Sequence, residues 1–600
     1  MGVRMRFRSS TVAVVTTVAL VWAMAPAQAG MPKNVIVLIP DGQSQSVVTL
    51  GRLYRGEPLA LDEIATGMVN TSMTNSVITG SAAAGTAFAT GYKTSEPHIG
   101  MAPRSYDILS NYQLPEGVDW DWFEYRPLAT LLEGAQLAGK ATGVVATSRI
   151  SHATPASYTA HVDARGKENE IMKHMVYQNL DVVFGGGSRH LLPRSMGGSR
   201  DDGENLRQVL HDRGYQVIDH ADDLHGIHSD RVWGLFASSS MMPELDRRYL
   251  RENGHDYDVS LHEQALAEPS LSEMTAKALD ILSQDRDGFF LMVEGSQVDW
   301  AGHSNDVIYH LQDFLEFDDT VSLALDFAKR DGQTMVVVMP DHNTGALALG
   351  NWASSGNYTR TSIERVIEPL QGMQVTANFL SAQLPRNPSD GDIRDTVAKY
   401  WNIHLSDDDL ATIREEQSIR GLQRAIIKVV NDNHTIFGWT THGHSGEDVP
   451  LWSYGPGAPT GYVDNADIGQ IMGKAMRLNL SLTHPSGLNQ RLFVDVQEHF
   501  PEAVVDDTGA TLGEWRLVNG TDVLQRGDDT CQLEGLVVHS PLAGGGEGRT
   551  FVPAQAIEIM QRPVMWNRHC GVSQPTNLGQ SIRDRVHERL ERAFSERGMR

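Results

Sequence analysis

Residues 33–42 read KNVIVLIPDG. The run from Lys33 to Ile39 is short, β-branched and apolar, and it stops at Pro40-Asp41-Gly42. Such a run, without polar alternation, predicts a strand buried on both faces, as in a parallel sheet. The Pro-Asp-Gly that follows predicts a polar turn at its carboxyl end. Ligands of open α/β sheets lie beyond those carboxyl ends, which makes Asp41 a candidate site residue.

Working outward, the pattern recurs. Ala141 to Ala146 (ATGVVA) ends near Thr147, and Asp181 to Phe184 ends at Gly185-Gly186-Gly187. Phe289 to Val293 (FFLMV) ends at Glu294-Gly295, and Thr334 to Met339 (TMVVVM) ends at Pro340-Asp341-His342. Helical patterns lie between, at Leu128 to Leu137 and Ile308 to Ala328. Alternating strands and helices predict an α/β fold, a three-layer sandwich on a mostly parallel central sheet. Asp41, Glu294, Asp341 and His342 each follow a strand-like run directly, which loop composition alone does not account for.

Residues 351–423 interrupt the pattern with Pro, Asn and Asp clusters. They read as an insertion beside the site, with helices around Asp392–Trp401 and Ser406–Gln417. Strand signals resume near Thr435–Trp439 and Leu451–Tyr454. The catalytic domain is placed at 30–484. Residues 485–600 read as a small β-rich C-terminal appendage with a glycine loop at Gly544-Gly545-Gly546 and a charged helix over Ser581 to Arg597.

Residues 1–29 read as a signal peptide: Arg4, Arg6 and Arg8 precede an apolar run from Thr11 to Ala23, and Ala27-Gln28-Ala29 fits small-x-small cleavage. A membrane anchor is the competing reading, but the run is short for a span. A periplasmic or secreted protein is expected. The formal charge of −25 over 600 residues argues against nucleic-acid binding as the main task. The two cysteines, Cys531 and Cys570, would form one disulfide in an oxidising compartment or remain two thiols.

Five motifs carry chemistry. Gly80-Ser81-Ala82-Ala83-Ala84-Gly85-Thr86 surrounds a lone hydroxyl with small residues and opens a helix, so Ser81 sits where amide groups favour an anion. Alone, it equally describes an N-cap serine. In Glu294-Gly-Ser-Gln-Val-Asp299-Trp300-Ala-Gly-His303, the Asp and His four apart share a helix face and suit one zinc ion, or form an exposed pair. Asp341-His342 reach one metal only if the chain turns, which Asn343-Thr344-Gly345 favours. Gly443-His444-Ser445-Gly446 offers an imidazole between glycines, with His442 as a rival. His152-Ala153-Thr154-Pro155-Ala156 provides groups for a hard-metal site, and Arg165 downstream has the planar fork that grips phosphate. His161 reads as having another role.

The order of these motifs resembles that of the alkaline phosphatases from Asn34 to about Pro456. The resemblance implies hydrolysis of small-molecule phosphate monoesters through a phosphoserine at Ser81, with Arg165 binding the phosphate. It implies two Zn2+ and one Mg2+. Asp299, His303 and His444 would hold the first zinc, and Asp41, Asp341 and His342 the second. Asp41, Thr154 and Glu294 would serve the magnesium, with His152 and Trp300 tuning that third site. A homodimer is open, since the family is often dimeric. A phosphodiesterase or sulfatase on the same scaffold is the rival activity, and a non-catalytic surface protein the rival class.

One departure stands out. Some members carry an acid just before the nucleophile that steadies the arginine, and here that position is Gly80. The expectation is a looser Arg165, with Gly80→Asp binding phosphate more tightly.

Overall fold

A computed structural model describes residues 30–570 apart from 107, 255–257 and 542–547. The signal peptide at 1–29, the glycine loop and the C-terminal charged helix expected from the sequence lie outside the described residues.

Eight strands precede the insertion in one large sheet: β1 (Asn34–Ile39), β2 (Ala65–Asn70), β3 (Ala141–Arg149), β4 (Val182–Gly186), β5 (Gln216–Ile218), β6 (Val232–Ala237), β7 (Phe289–Glu294) and β8 (Thr334–Val338). Four short strands, β9 (Asn343–Thr344), β10 (Leu347–Leu349), β11 (Phe437–Trp439) and β12 (His444–Ser445), pair as two small ladders, β9 with β12 and β10 with β11. The large sheet is completed by β13 (Val449–Tyr454) and β14 (Gly461–Asp464), in the order β14-β2-β13-β8-β1-β7-β3-β4-β6-β5. Only β13 runs against its neighbours.

The reading of residues 33–42 holds at atomic detail. All six residues of β1 are buried. Ile36 and Leu38 enter one apolar cluster, and Val35, Val37 and Ile39 enter another across the sheet. Side chains alternate across a strand, so a strand buried on both faces lies between two helical layers. The register aligns Ile39 with Glu294 and Leu38 with Val338, so the ends of β8, β1 and β7 lie side by side.

Segment 351–423 is helical, with Ile363–Gln371, Ala377–Ala382, Asp390–Trp401 and Asp407–Arg420 as its main elements. It is stitched to the body by buried acids. Thr376 donates from N and Oγ1 to Asp246, both at 2.7 Å, and Ala377 N donates to Asp306 Oδ2 at 2.7 Å. Asp306 also caps the long helix Val307–Asp331.

Beyond residue 485 the chain forms a five-stranded meander and a three-stranded sheet around a separate core. Arg126 ties this appendage down: Nη2 donates to Phe493 O at 2.6 Å, and the guanidinium lies 3.9 Å from the Trp122 ring and 4.9 Å from that of Phe551. Arg213 pairs with the buried Asp522 at 2.6 Å. Cys531 and Cys570 form a disulfide. No helix among the described residues is long and apolar enough to cross a membrane.

Candidate active site

The strand ends deliver the acids. Asp41 follows β1, Glu294 ends β7 and Asp341-His342 follow β8; all four are fully buried. The chain turns after β8 as Asn343-Thr344-Gly345 suggested: Asp341 Oδ1 accepts from Gly42 N and His342 N, each at 3.0 Å. Gly42 (φ +70°) permits this crowding, because a Cβ there would meet Thr344 Oγ1 at 2.6 Å and the Asp299 Cα at 2.7 Å. β9 pairs with β12, setting His444 opposite Thr344. That ladder brings the distant Gly443-His444 motif to the strand ends.

Three ligand clusters result, each with donor atoms within 4.8 Å of one another: Asp299, His303 and His444; Asp41, Asp341 and His342; and Asp41, His152 and Glu294. Thr154 joins the last cluster, its Oγ1 donating to Asp41 Oδ2 at 3.4 Å. Trp300 lies edge-on to His152, ring centres 5.6 Å apart. His442 stays out of the clusters; its carbonyl accepts from His303 Nδ1 at 2.5 Å. His161 is buried against Glu133 at 3.0 Å and Gly100 O at 2.8 Å, away from these groups.

The donor set fits cations. His303 Nδ1 donates to His442 O, and His444 Nδ1 donates to Thr79 O at 2.8 Å. Those bonds leave both Nε2 atoms with lone pairs, yet they face one another at 3.3 Å. His342 Nδ1 likewise faces Thr344 Oγ1 at 3.2 Å, while Thr344 donates to Asp299 Oδ1 at 2.5 Å. Buried Asp41 Oδ1 and Glu294 Oε1 accept no hydrogen bond. Burial, then Asp341, Asp299 and Glu294, push the Asp41 carboxyl well above the usual range, and burial pushes Glu294 up to about 7. Burial and the neighbouring His342 lower His444 to about 4, so it is a neutral ligand near pH 7. Crowded carboxylates and inward lone pairs are stable together only around positive charge.

Ser81 begins the helix Ser81–Thr90, with its Oγ 3.2 Å from His342 Nε2. Arg165 is anchored by its backbone N–H to Pro97 O at 2.9 Å. Its Nη2 donates to His152 Nε2 at 3.0 Å, and its Nη1 pairs with Glu96 at 3.3 Å. The looser Arg165 expected from Gly80 nevertheless has an acidic partner, supplied from elsewhere in the chain. Gly80 has no acid, but Glu96 reaches the vacated space: a Cβ on Gly80 would stand 2.6 Å from Glu96 Oε2. Glu96 is the residue the sequence reading missed; it sits in a loop, 15 positions after Ser81, with no periodicity to mark it.

A helix-terminal serine, a guanidinium and three clusters of metal-type ligands at the ends of parallel strands define a metal-dependent phosphoryl-transfer hydrolase. The profile of the alkaline phosphatases matches residues 32–478, and the chain belongs to the alkaline phosphatase family. It is 34% identical to alkaline phosphatase 3 of Bacillus subtilis (strain 168) over 475 residues, 75% of this chain and 90% of that one. It is 30% identical to the alkaline phosphatase of Escherichia coli (strain K12) over 348 residues, 52% and 70% of the two chains. The crystal structure of the Thermus thermophilus alkaline phosphatase matches with a TM-score of 0.62 at 26% identity, covering 75% of this chain and 92% of that one. A variant of the TAB5 enzyme with Mg bound in its M3 site matches with a TM-score of 0.50 at 26% identity, covering 75% and 100%. The activity of this chain is metal-dependent hydrolysis of phosphate monoesters.

Proposed function

We propose that Ser81 is the nucleophile, that the reaction passes through phosphoserine, and that two Zn2+ and one Mg2+ are the resident ions. The observation that carries this reading is the convergence of Ser81 Oγ on His342 Nε2, 3.2 Å away, inside the ring of ligand clusters. Zinc would be held by Asp299, His303 and His444 and by Asp41, Asp341 and His342, and magnesium by the oxygens of Asp41, Glu294 and Thr154. Bound there, the ions supply Lewis acidity toward a hydroxyl and toward phosphoryl oxygens.

The chain's own groups do the rest. Arg165 binds two oxygens of the phosphoryl group with its fork and orients the ester in line with Ser81 Oγ. The amides at the start of the Ser81–Thr90 helix face the same negative charge. Ser81 Oγ attacks phosphorus, the ester oxygen leaves as alcohol, and the serine becomes phosphorylated. Water then attacks that phosphorus from the vacated side, releasing inorganic phosphate and restoring the hydroxyl. The sequence pattern at 1–29 supports export of the protein to the periplasm or medium.

The test is p-nitrophenyl phosphate hydrolysis by the metal-loaded protein beside Ser81→Ala. The variant should lose roughly 10⁴-fold or more in kcat, the scale of a missing nucleophile. It should also trap no radioactive phosphate on acid quenching, where the parent does. Equal labelling of both proteins would remove Ser81 from the mechanism, and a silent parent with full metal occupancy would sink the reading.

A further inference from the structure

The structure assigns Glu96 as the residue that positions the phosphate-gripping Arg165, using space that Gly80 leaves open; this rests on the reading of Arg165 given above. Three observations carry it. Glu96 Oε1 pairs with Arg165 Nη1 at 3.3 Å. Glu96 Oε2 lies 3.4 Å from Ala83 N in the first turn of the nucleophile's helix. A side chain at position 80 would collide with that carboxylate, with Cβ only 2.6 Å from Oε2.

Glu96 therefore links the two halves of the substrate grip, the Ser81 helix and the Arg165 fork. Arg165 has one terminal nitrogen on His152 and the other on Glu96, so two partners on distinct nitrogens set the plane of the guanidinium. The arginine side chain is 30% exposed, so with one partner gone it would spread over several rotamers. The loss falls on binding of a phosphate dianion, which needs both nitrogens in one plane. Glu96 belongs to none of the three ligand clusters and acts through Arg165.

Gly80 and Glu96 are then a matched pair, and exchange distinguishes positioning from plain structural support. The variants are Glu96→Gln, Glu96→Ala, Gly80→Asp and Gly80→Asp/Glu96→Ala, each with metal content and melting temperature recorded. For each, kcat and KM for p-nitrophenyl phosphate are measured, with the inhibition constant of inorganic phosphate. Glu96→Gln should raise KM and the phosphate inhibition constant about three- to tenfold, with kcat changed less, the scale of a partly exposed ion pair. Gly80→Asp alone should bind phosphate more weakly, in place of the tighter binding expected from the sequence, since two carboxylates would contest one space. The double variant should return to within about threefold of the parent, because an acid again reaches Arg165 from the same side. Unchanged or tighter phosphate binding by Glu96→Gln would overturn the proposal, as would a double variant no better than Glu96→Ala. Glu96→Gln keeps the side chain's size, so the result does not depend on the truncated variants folding. A parent that neither hydrolyses the ester nor binds phosphate would instead sink the reading of the site itself.

Discussion

Asp41, Asp341 and His342 form a sealed trio; Asp299, His303 and His444 form an open one. In the first, every side chain is within 1% of complete burial; in the second, His303 is 39% exposed and His444 17%. The residue types are nearly the same, so the contrast comes from the elements that carry them. The sealed trio hangs from the ends of two adjacent strands under two helical layers. The open trio combines a short helix, Gln297–Ser304, with the two-residue strand β12 at the rim. In the mechanism proposed above, the sealed trio would hold an ion that keeps Ser81 in one geometry, and the solvent-facing trio would hold one whose ligands can exchange.

The comparison can be broken most forcefully at Asp41, which belongs to two of the three clusters. Asp41→Ala should cost about 10³-fold or more in kcat, since metal stabilisation is worth several kcal/mol. It should also lower bound metal by two ions, counted by atomic emission. Without metal the same variant should melt no lower than the parent, because the carboxylate it removes is buried among like charges. A lower melting point for the metal-free variant would contradict that account. Next in size, His444→Ala should cost about 10²-fold and leave the sealed trio loaded, with partial recovery in excess zinc. If it empties both trios together, the two sites are not independent. Chelation sharpens the same point: one metal equivalent should leave in a fast phase with most of the activity, the others slowly. A single phase would erase the distinction between sealed and open.

The smallest effect is expected in the region remote from both trios. Cys531→Ser opens the loop closed by Cys531 and Cys570, 39 residues apart. Loop-closure entropy sets the cost near 4 kcal/mol at most, borne by the appendage. Turnover should stay within about twofold, and calorimetry should show a lower transition for the C-terminal unit. A matching fall in kcat would show that the appendage supports the site.

The same contrast explains what was legible in the sequence. β1, β7 and β8 are buried on both faces, so their composition alone marks them, and the acids behind them follow. β2 (Ala65–Asn70) has only Val69 fully buried, and it was not anticipated. β6 has Gly234 wedged between Phe184 and Phe236, which weakens an otherwise apolar run. The motif order named the residues of these clusters through resemblance, including His444, whose place depends on a ladder of two residue pairs. Glu96 escaped because its role arises from the absence of a side chain at Gly80. Local pattern carries no record of a space left empty elsewhere in the chain.

The residues of the clusters also emerge at different moments of synthesis. Asp41, His152 and Glu294 are all present once residue 294 has emerged, the sealed trio at residue 342, and the open trio only at residue 444. The sheet that aligns them has neighbours hundreds of positions apart, Asn34 beside Thr334 for example. Such distant pairings form late, after most of the chain is available. Metal loading is therefore expected to follow assembly of the sheet, and for a chain exported as proposed above the ions would come from the compartment in which it folds. Metal supply in that compartment, rather than in the cell that makes the protein, would set how much of it matures.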